Sequence, residues 1–297
     1  MPQQTSKTFA RALVAITLLA GGTWGCGLIK SAESDKVLAA TVLATPNYDF
    51  SFLLPDASLP SLPFDAGIPT FTPALPSETV AQVFFGQRAS DPTAQPTGIA
   101  GASVKLSING TSFDIADQGQ GNYSLTSLDN SAFVYQPNVT YEITVTNGSD
   151  TFTGSVTGPD KDPIEQFAAQ AAAHPGVPMT QQTNAPLLLT RTNAEDVAFT
   201  TVFPVALAGQ GQPTYTDMPT TPLDLLDLIA NDGPWRTKVI TIPGANDPAG
   251  RTAAFPYAGT YYAVTVVAVK KGSTSNNLFT ASAFLVGKAD MYVVVTP

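Results

Sequence analysis

Few side chains in this sequence are of a type that does chemistry, and each stands nearly alone. His174 is the only histidine and Cys26 the only cysteine among 297 residues. Histidine-based nucleophilic catalysis needs a serine or thiol activated beside the imidazole, yet neither a Gly-x-Ser-x-Gly elbow nor a Ser-x-x-Lys pair occurs. His174 instead precedes Pro175 at the end of an expected helix, where positive charge is favoured by the free carbonyls. One cysteine forbids an internal disulfide and a cysteine-cluster metal site. No phosphate-binding glycine loop is present, since Gly119-Gln120-Gly121 reads as a turn between strands. We therefore assign no catalytic, cofactor-binding or metal-binding residue.

Carboxylates and one aromatic remain. Asp160, Asp162 and Glu165 lie close together at an expected junction between domains, where an oxygen cluster would hold calcium. Asp162 has a competing role as a helix N-cap, with Pro163 at the first helical position. Asp224 and Asp227 share one face of a second expected helix at 222–230, and paired acids run glycoside hydrolysis. Since that helix is otherwise leucine-rich, they read as its solvated side. Trp235, the tryptophan that remains after export, reads as core, with a sugar-stacking platform as the alternative.

The elements that must position these residues begin after an export signal. Met1–Arg11 carries Lys7, Arg11 and no acid, and Ala12–Ala20 is a nine-residue hydrophobic run interrupted only by Thr17. Nine helical residues rise about 14 Å, well short of the ~30 Å hydrocarbon core. Residues 1–25 are thus a secretion signal rather than a span. Cys26 stands where such a signal is cut, and here the chain resembles a bacterial lipoprotein precursor. Gly25 supplies the small residue before the cysteine, while Thr23 and Trp24 depart from the usual Leu-Ala/Ser pair. The resemblance implies lipid attachment at Cys26 and, with Gly27 following, sorting to the outer membrane. The alternative is an ordinary signal peptide followed by an unmodified cysteine. Without Lys7 and Arg11 the 14 basic and 23 acidic residues become 12 and 23, a net charge of −11. Such a chain repels nucleic acid and does not adhere by charge to anionic lipid.

Residues 26–76 form a proline-rich linker, broken by Pro46, Pro55, Pro60, Pro63, Pro69, Pro73 and Pro76. Within it, Val37–Leu43 is apolar, and the alternation from Tyr48 to Leu54 is a candidate strand docking on a later domain, with a membrane-surface or partner-binding stripe as the alternative. Residues 77–159 read as a first β-sandwich. Asn109-Gly110 supplies a type I′ turn, which sets Leu106 opposite Phe113, Val104 opposite Ile115 and Lys105 opposite Asp114. A second hairpin on Asn147-Gly148 brings Ile143 opposite Phe152. The run from Val83 through Gly98–Leu106, Asp117–Leu125 and Tyr141–Val145 resembles the carboxypeptidase-regulatory-like (transthyretin-like) sandwich, a module whose family is non-catalytic. Residues 160–183 read as a short helix and hinge.

Residues 184–297 read as a second sandwich, with strands at Leu187–Leu189 and Val197–Ala206 and the inserted helix 222–230. Ala258–Val266 resembles the Gly-x-Tyr-x-Val strand of immunoglobulin-like domains, with a corner tyrosine. The two sandwiches echo each other: Tyr141–Val145 with Phe152–Ser155 parallels Tyr262–Val266 with Phe279–Ser282.

The expected fold is therefore all-β, two tandem sandwiches after a signal peptide and stalk. The expected function is a non-enzymatic binding or scaffolding role in the bacterial cell envelope, periplasmic or surface-exposed. Expected partners are the membrane, through the anchor, and an envelope protein or a glycan. Carbohydrate binding, calcium-dependent adhesion and an acid-pair glycosidase are the alternatives.

Overall fold

The structure is a computed structural model that describes residues 34–49, 74–75, 77–88, 96–193, 197–205, 213–218, 235–280 and 282–297. It is all-β, with one short helix among the described residues. The strands are β1 (Lys36–Ala44), β2 (Tyr48–Asp49), β3 (Ala74–Leu75), β4 (Thr79–Gln87), β5 (Thr97–Gly98), β6 (Ser103–Ile108), β7 (Thr111–Gly119), β8 (Asn122–Thr126), β9 (Thr140–Asn147) and β10 (Asp150–Thr157). Helix α1 (Glu165–Ala173) follows, and then β11 (Met179–Thr180), β12 (Leu187–Thr190), β13 (Val197–Pro204), β14 (Tyr215–Thr216), β15 (Val239–Ile242), β16 (Tyr261–Lys271), β17 (Ser273–Thr274) and β18 (Ala283–Val295).

Fourteen of these strands form one continuous sheet. Its centre is β1, antiparallel to β4 on one side and parallel to β18 on the other. The segment expected as a linker thus contains a central strand, in the apolar run Val37–Leu43. Leu38, Ala40 and Val42 are almost fully buried, and that burial holds the strand in place. Residues 50–54 of the second alternating run lie outside the described residues. Tyr48 and Asp49 pair with Leu75 and Ala74.

The two largest cores lie against this sheet. In the first, β7 changes partners along its length, pairing with β6 over Thr111–Ile115 and with β8 from Ala116 onward, across a bulge at Asp117–Gly119. One strand thereby serves both walls of a sandwich, β1-β4-β8 facing β6-β9-β10. The walls meet again where β17 pairs with β10 and Gly272 N–H donates to the Phe284 carbonyl at 2.8 Å. Leu278, Phe284 and Val286 complete this core, so residues near the end of the chain belong to the first sandwich. The second core lies between β13-β16-β18 and the β12-β15 ribbon with α1, around Ile164, Phe167, Leu189, Val202, Phe255, Tyr262 and Val294.

Local turn chemistry explains one hairpin and corrects the other. Leu106 faces Phe113, Val104 faces Ile115 and Lys105 faces Asp114 as expected, with Asn109 and Gly110 at φ of 48° and 82°. In the β9–β10 hairpin Phe152 faces Val145 and Ile143 faces Gly154. The turn is centred on Gly148-Ser149, and of these two only Gly148 has positive φ, the requirement of a type II′ turn. The register therefore moves by two residues, which leaves every side chain on its expected face.

The echo between the halves holds at the tyrosines. The Tyr141 hydroxyl accepts from the Gln136 N–H at 2.7 Å and donates to the Gln136 carbonyl at 2.9 Å. The Tyr262 hydroxyl does the same with Tyr257, at 2.9 and 3.2 Å. In each loop the residue three before the tyrosine is left-handed, Asn138 at 61° and Gly259 at 62°. Burial pushes the Tyr141 hydroxyl up to about 12 and raises that of Tyr262. Tyr141→Phe and Tyr262→Phe are each expected to cost about 1–3 kcal/mol in urea unfolding, because a buried N–H and carbonyl lose their partner. A cost within error at both positions would show that the hydroxyls hold nothing. The rest of the echo fails. Phe279 and Ser282 precede β18 in a turn, where Phe279 stacks under the Arg88 guanidinium at 4.6 Å and the Ser282 hydroxyl accepts from the Leu38 N–H at 3.0 Å.

Candidate functional site

The segment between the cores was the first candidate site, and β18 shows what positions it. Along one face of this strand Phe284 and Val286 enter the first core, and Tyr292 and Val294 enter the second. A strand period of two puts Lys288 and Asp290 on the same face between them. There they meet the crossing segment: Lys288 Nζ lies 3.0 Å from Asp160 Oδ1, and Lys161 Nζ lies 3.0 Å from Asp290 Oδ1. The Lys288 ammonium holds the Asp160 carboxyl below its usual range. Asp290 also accepts from the Ile164 N–H at 3.2 Å.

Asp162 does not cap the helix. The N-cap is Ile164, with no side-chain capping bond, and Asp162 turns inward to a fully buried Arg191, Oδ2 to Nε at 2.8 Å. Its other oxygen accepts from the Asn193 N–H at 2.8 Å, while Arg191 Nη1 reaches the Trp235 and Thr237 carbonyls, each at 3.4 Å. A buried guanidinium requires an anion more strongly than an exposed helix end requires a cap. Glu165 remains exposed in the first turn. The three carboxylates of the calcium expectation therefore do not converge, and two of them are occupied by cations of the chain.

The expected hinge is not loose backbone. Residues 179–180 pair in parallel with β18, Gln181 N–H donates to the Val295 carbonyl at 2.9 Å, and the Tyr292 hydroxyl donates to the Val177 carbonyl at 3.1 Å. His174 is the exposed C-cap residue of α1. Cys26, Asp224, Asp227 and the expected helix 222–230 lie outside the described residues.

Trp235 packs, with Met218, on the face of β13-β16-β18 opposite the second core. Its indole N–H donates to the Asp217 carbonyl at 3.3 Å, which places it as a packing residue. Asp217 itself is partly buried, accepts from the Thr200 N–H, and is pushed up by burial to about 6. A carboxyl raised in this way favours folding when protonated. Its contribution is complete below 3.8 and is lost as pH rises through about 6. Asp217→Asn is expected to raise the thermal midpoint near neutral pH and to leave it unchanged near pH 4. An equal shift at both values would dissociate the effect from titration. Nearby, Arg251 pairs with Asp247 at 2.8 Å and holds that carboxyl at about 2.

Sequence reasoning missed a groove of about 430 Å³ on the outer face of β9, β10 and β17. Glu142, Thr144, Thr153, Ser155, Ser273 and Ser275 line it. Thr144 stands opposite Thr153 and Glu142 opposite Ser155. The wall is made of hydroxyls around one carboxylate, a surface suited to exchanging hydrogen bonds with a neutral polyol. The signal in the sequence is the outward alternation Glu142-x-Thr144 and Thr151-x-Thr153-x-Ser155, which resembles any solvated strand face. Among the described residues, no three of His, Cys, Asp and Glu are grouped to hold a metal ion, and no helix is long and apolar enough to cross a membrane.

No protein-family model and no curated protein matches the chain. Among solved structures, it is similar to one described as structural insight into host cell surface retention of a 1.5-MDa bacterial ice-binding adhesin, at 11% identity and a TM-score of 0.20. That likeness covers 74% of this chain and 58% of the adhesin chain, so the protein spans well under two thirds of the structure it matches.

Proposed function

We propose that the protein is an exported, lipid-anchored component of the bacterial cell envelope with a non-enzymatic binding or scaffolding role, built from two immunoglobulin-like or transthyretin-like sandwiches. The order of parts carries this reading: a nine-residue hydrophobic run, Gly25-Cys26, and then a central strand that begins ten residues after the cysteine. The paired charges at the junction support a structural role for Asp160 and Asp162, because each meets a cation of the chain. Gly27 favours the outer membrane. The intact mass of the chain purified from its native membranes is the test. A chain starting at Cys26 with added acyl mass is the expected result; an unmodified Cys26 would overturn the anchor.

The hydroxyl-lined groove supports a second reading, in which the bound partner is a glycan. Thr153→Arg, at an exposed strand position, is then expected to reduce binding on a glycan array at least ~10-fold, a loss of about 1.4 kcal/mol, without changing the thermal midpoint. Undiminished binding would remove the groove from consideration.

A further inference from the structure

Resting on the lipid-anchored reading, we infer that the anchor holds one end of the body at the bilayer. The end at which β1 begins faces the lipid surface, and the second core is carried outward.

Seven residues separate Cys26 from Ser34, a span of at most ~28 Å over eight residue steps when fully extended. At Ser34 the chain is already fixed to the body. Its hydroxyl donates to the Asn277 carbonyl at 2.5 Å, and the Asp35 carbonyl accepts from the Arg88 N–H at 2.6 Å. Asn277 in turn donates to the Thr151 carbonyl at 2.9 Å, so the point of attachment lies beside the β9–β10 turn at Gly148-Ser149. From there β1 runs away from the anchor. Ala44 pairs with Lys288, and β18 continues in the same direction to Val295. Nine residues of β1 and seven more of β18 extend for about 50 Å at strand rise. The far end, where Tyr261 pairs with Val295, is beyond the reach of the tether. With a net charge of −11 after export, the chain as a whole has no charge attraction to anionic lipid.

The proline-rich stretch does not act as the stalk. Thr45 and Glu78, which bound it, are joined by a 2.9 Å backbone hydrogen bond at the end of β1 away from the anchor. The chain therefore leaves and returns at one point of the body, about 27 Å above its start at strand rise. The short segment before Ser34 is then the tether.

The test uses the full acylated chain in phosphatidylcholine vesicles that carry an acceptor-labelled lipid. Donor dyes are placed on Ser149→Cys or on Ala258→Cys, the native thiol being consumed by acylation. Energy transfer several-fold stronger from position 149 than from 258 is expected, and a long Gly-Ser insertion between Glu33 and Ser34 should erase the difference. Equal or reversed transfer in a chain that floats with the vesicles overturns the orientation alone, as does an insertion without effect. A chain that is unacylated and fails to float overturns the anchor, and the orientation with it.

Discussion

Replacing Arg191 with methionine is expected to lower the unfolding free energy by about 3–5 kcal/mol, as removal of one partner from a buried ion pair does. The guanidinium is fully buried and Asp162 nearly so, so the substitution leaves a carboxylate with only the Asn193 N–H to face. The cost of burying that charge, more than the lost attraction, sets the size of the effect. A second substitution separates the two contributions. Asp162→Asn keeps an acceptor for the Asn193 N–H but removes the charge, and the double variant is expected to recover a large part of the loss. Urea unfolding of the four proteins forms a double-mutant cycle. If the two single losses simply add, the pair is not the unit that holds the crossing segment, and the carbonyls of Trp235 and Thr237 are the partners that matter to Arg191.

This pair also shows why some of the architecture was legible in the sequence and some was not. Asn109-Gly110 specifies its hairpin because both residues of a type I′ turn must be left-handed, a demand met within two positions. The corner tyrosines are equally local, since Tyr141 and Tyr262 each bond a residue five positions earlier. Asp162 before Pro163 has every local mark of an N-cap, yet a guanidinium 29 residues away takes it, and nothing near Asp162 announces that competitor. Ala39 pairs with Ala283 across 244 positions, so nothing near the apolar run Val37–Leu43 shows where it docks. The outward hydroxyls of β9 and β10 become a groove only when β17 is laid beside them. Asp160 and Asp162 lie in the segment that crosses between the two cores, each paired with a cation of the chain.

The position of β1 makes the two cores depend on one strand, and Ala40→Pro is the strongest test of that dependence. Ala40 pairs with Val83 in β4 and with Phe284 in β18. Proline removes an N–H from the ladder and forces its ring into a closely packed position, where Ala40 is 1% exposed. A loss of ~3 kcal/mol or more is expected, the scale of proline in a regular hydrogen-bonded interior. The distribution of that loss matters as much as its size. Val42 and Phe284 contribute to the first core, while β18 carries Tyr292 and Val294 into the second. Loosening β1 therefore frees the edge of β4 and weakens the seating of β18 at once. Amide exchange in the variant is expected to accelerate together in β9, in the first core, and in β13, in the second, and thermal unfolding should remain a single transition. Protection lost in β9 but retained in β13 would mean that the second core folds on its own, with β1 as an added edge strand. A shared loss would mean that one strand, seated between β4 and β18, governs the stability of both cores.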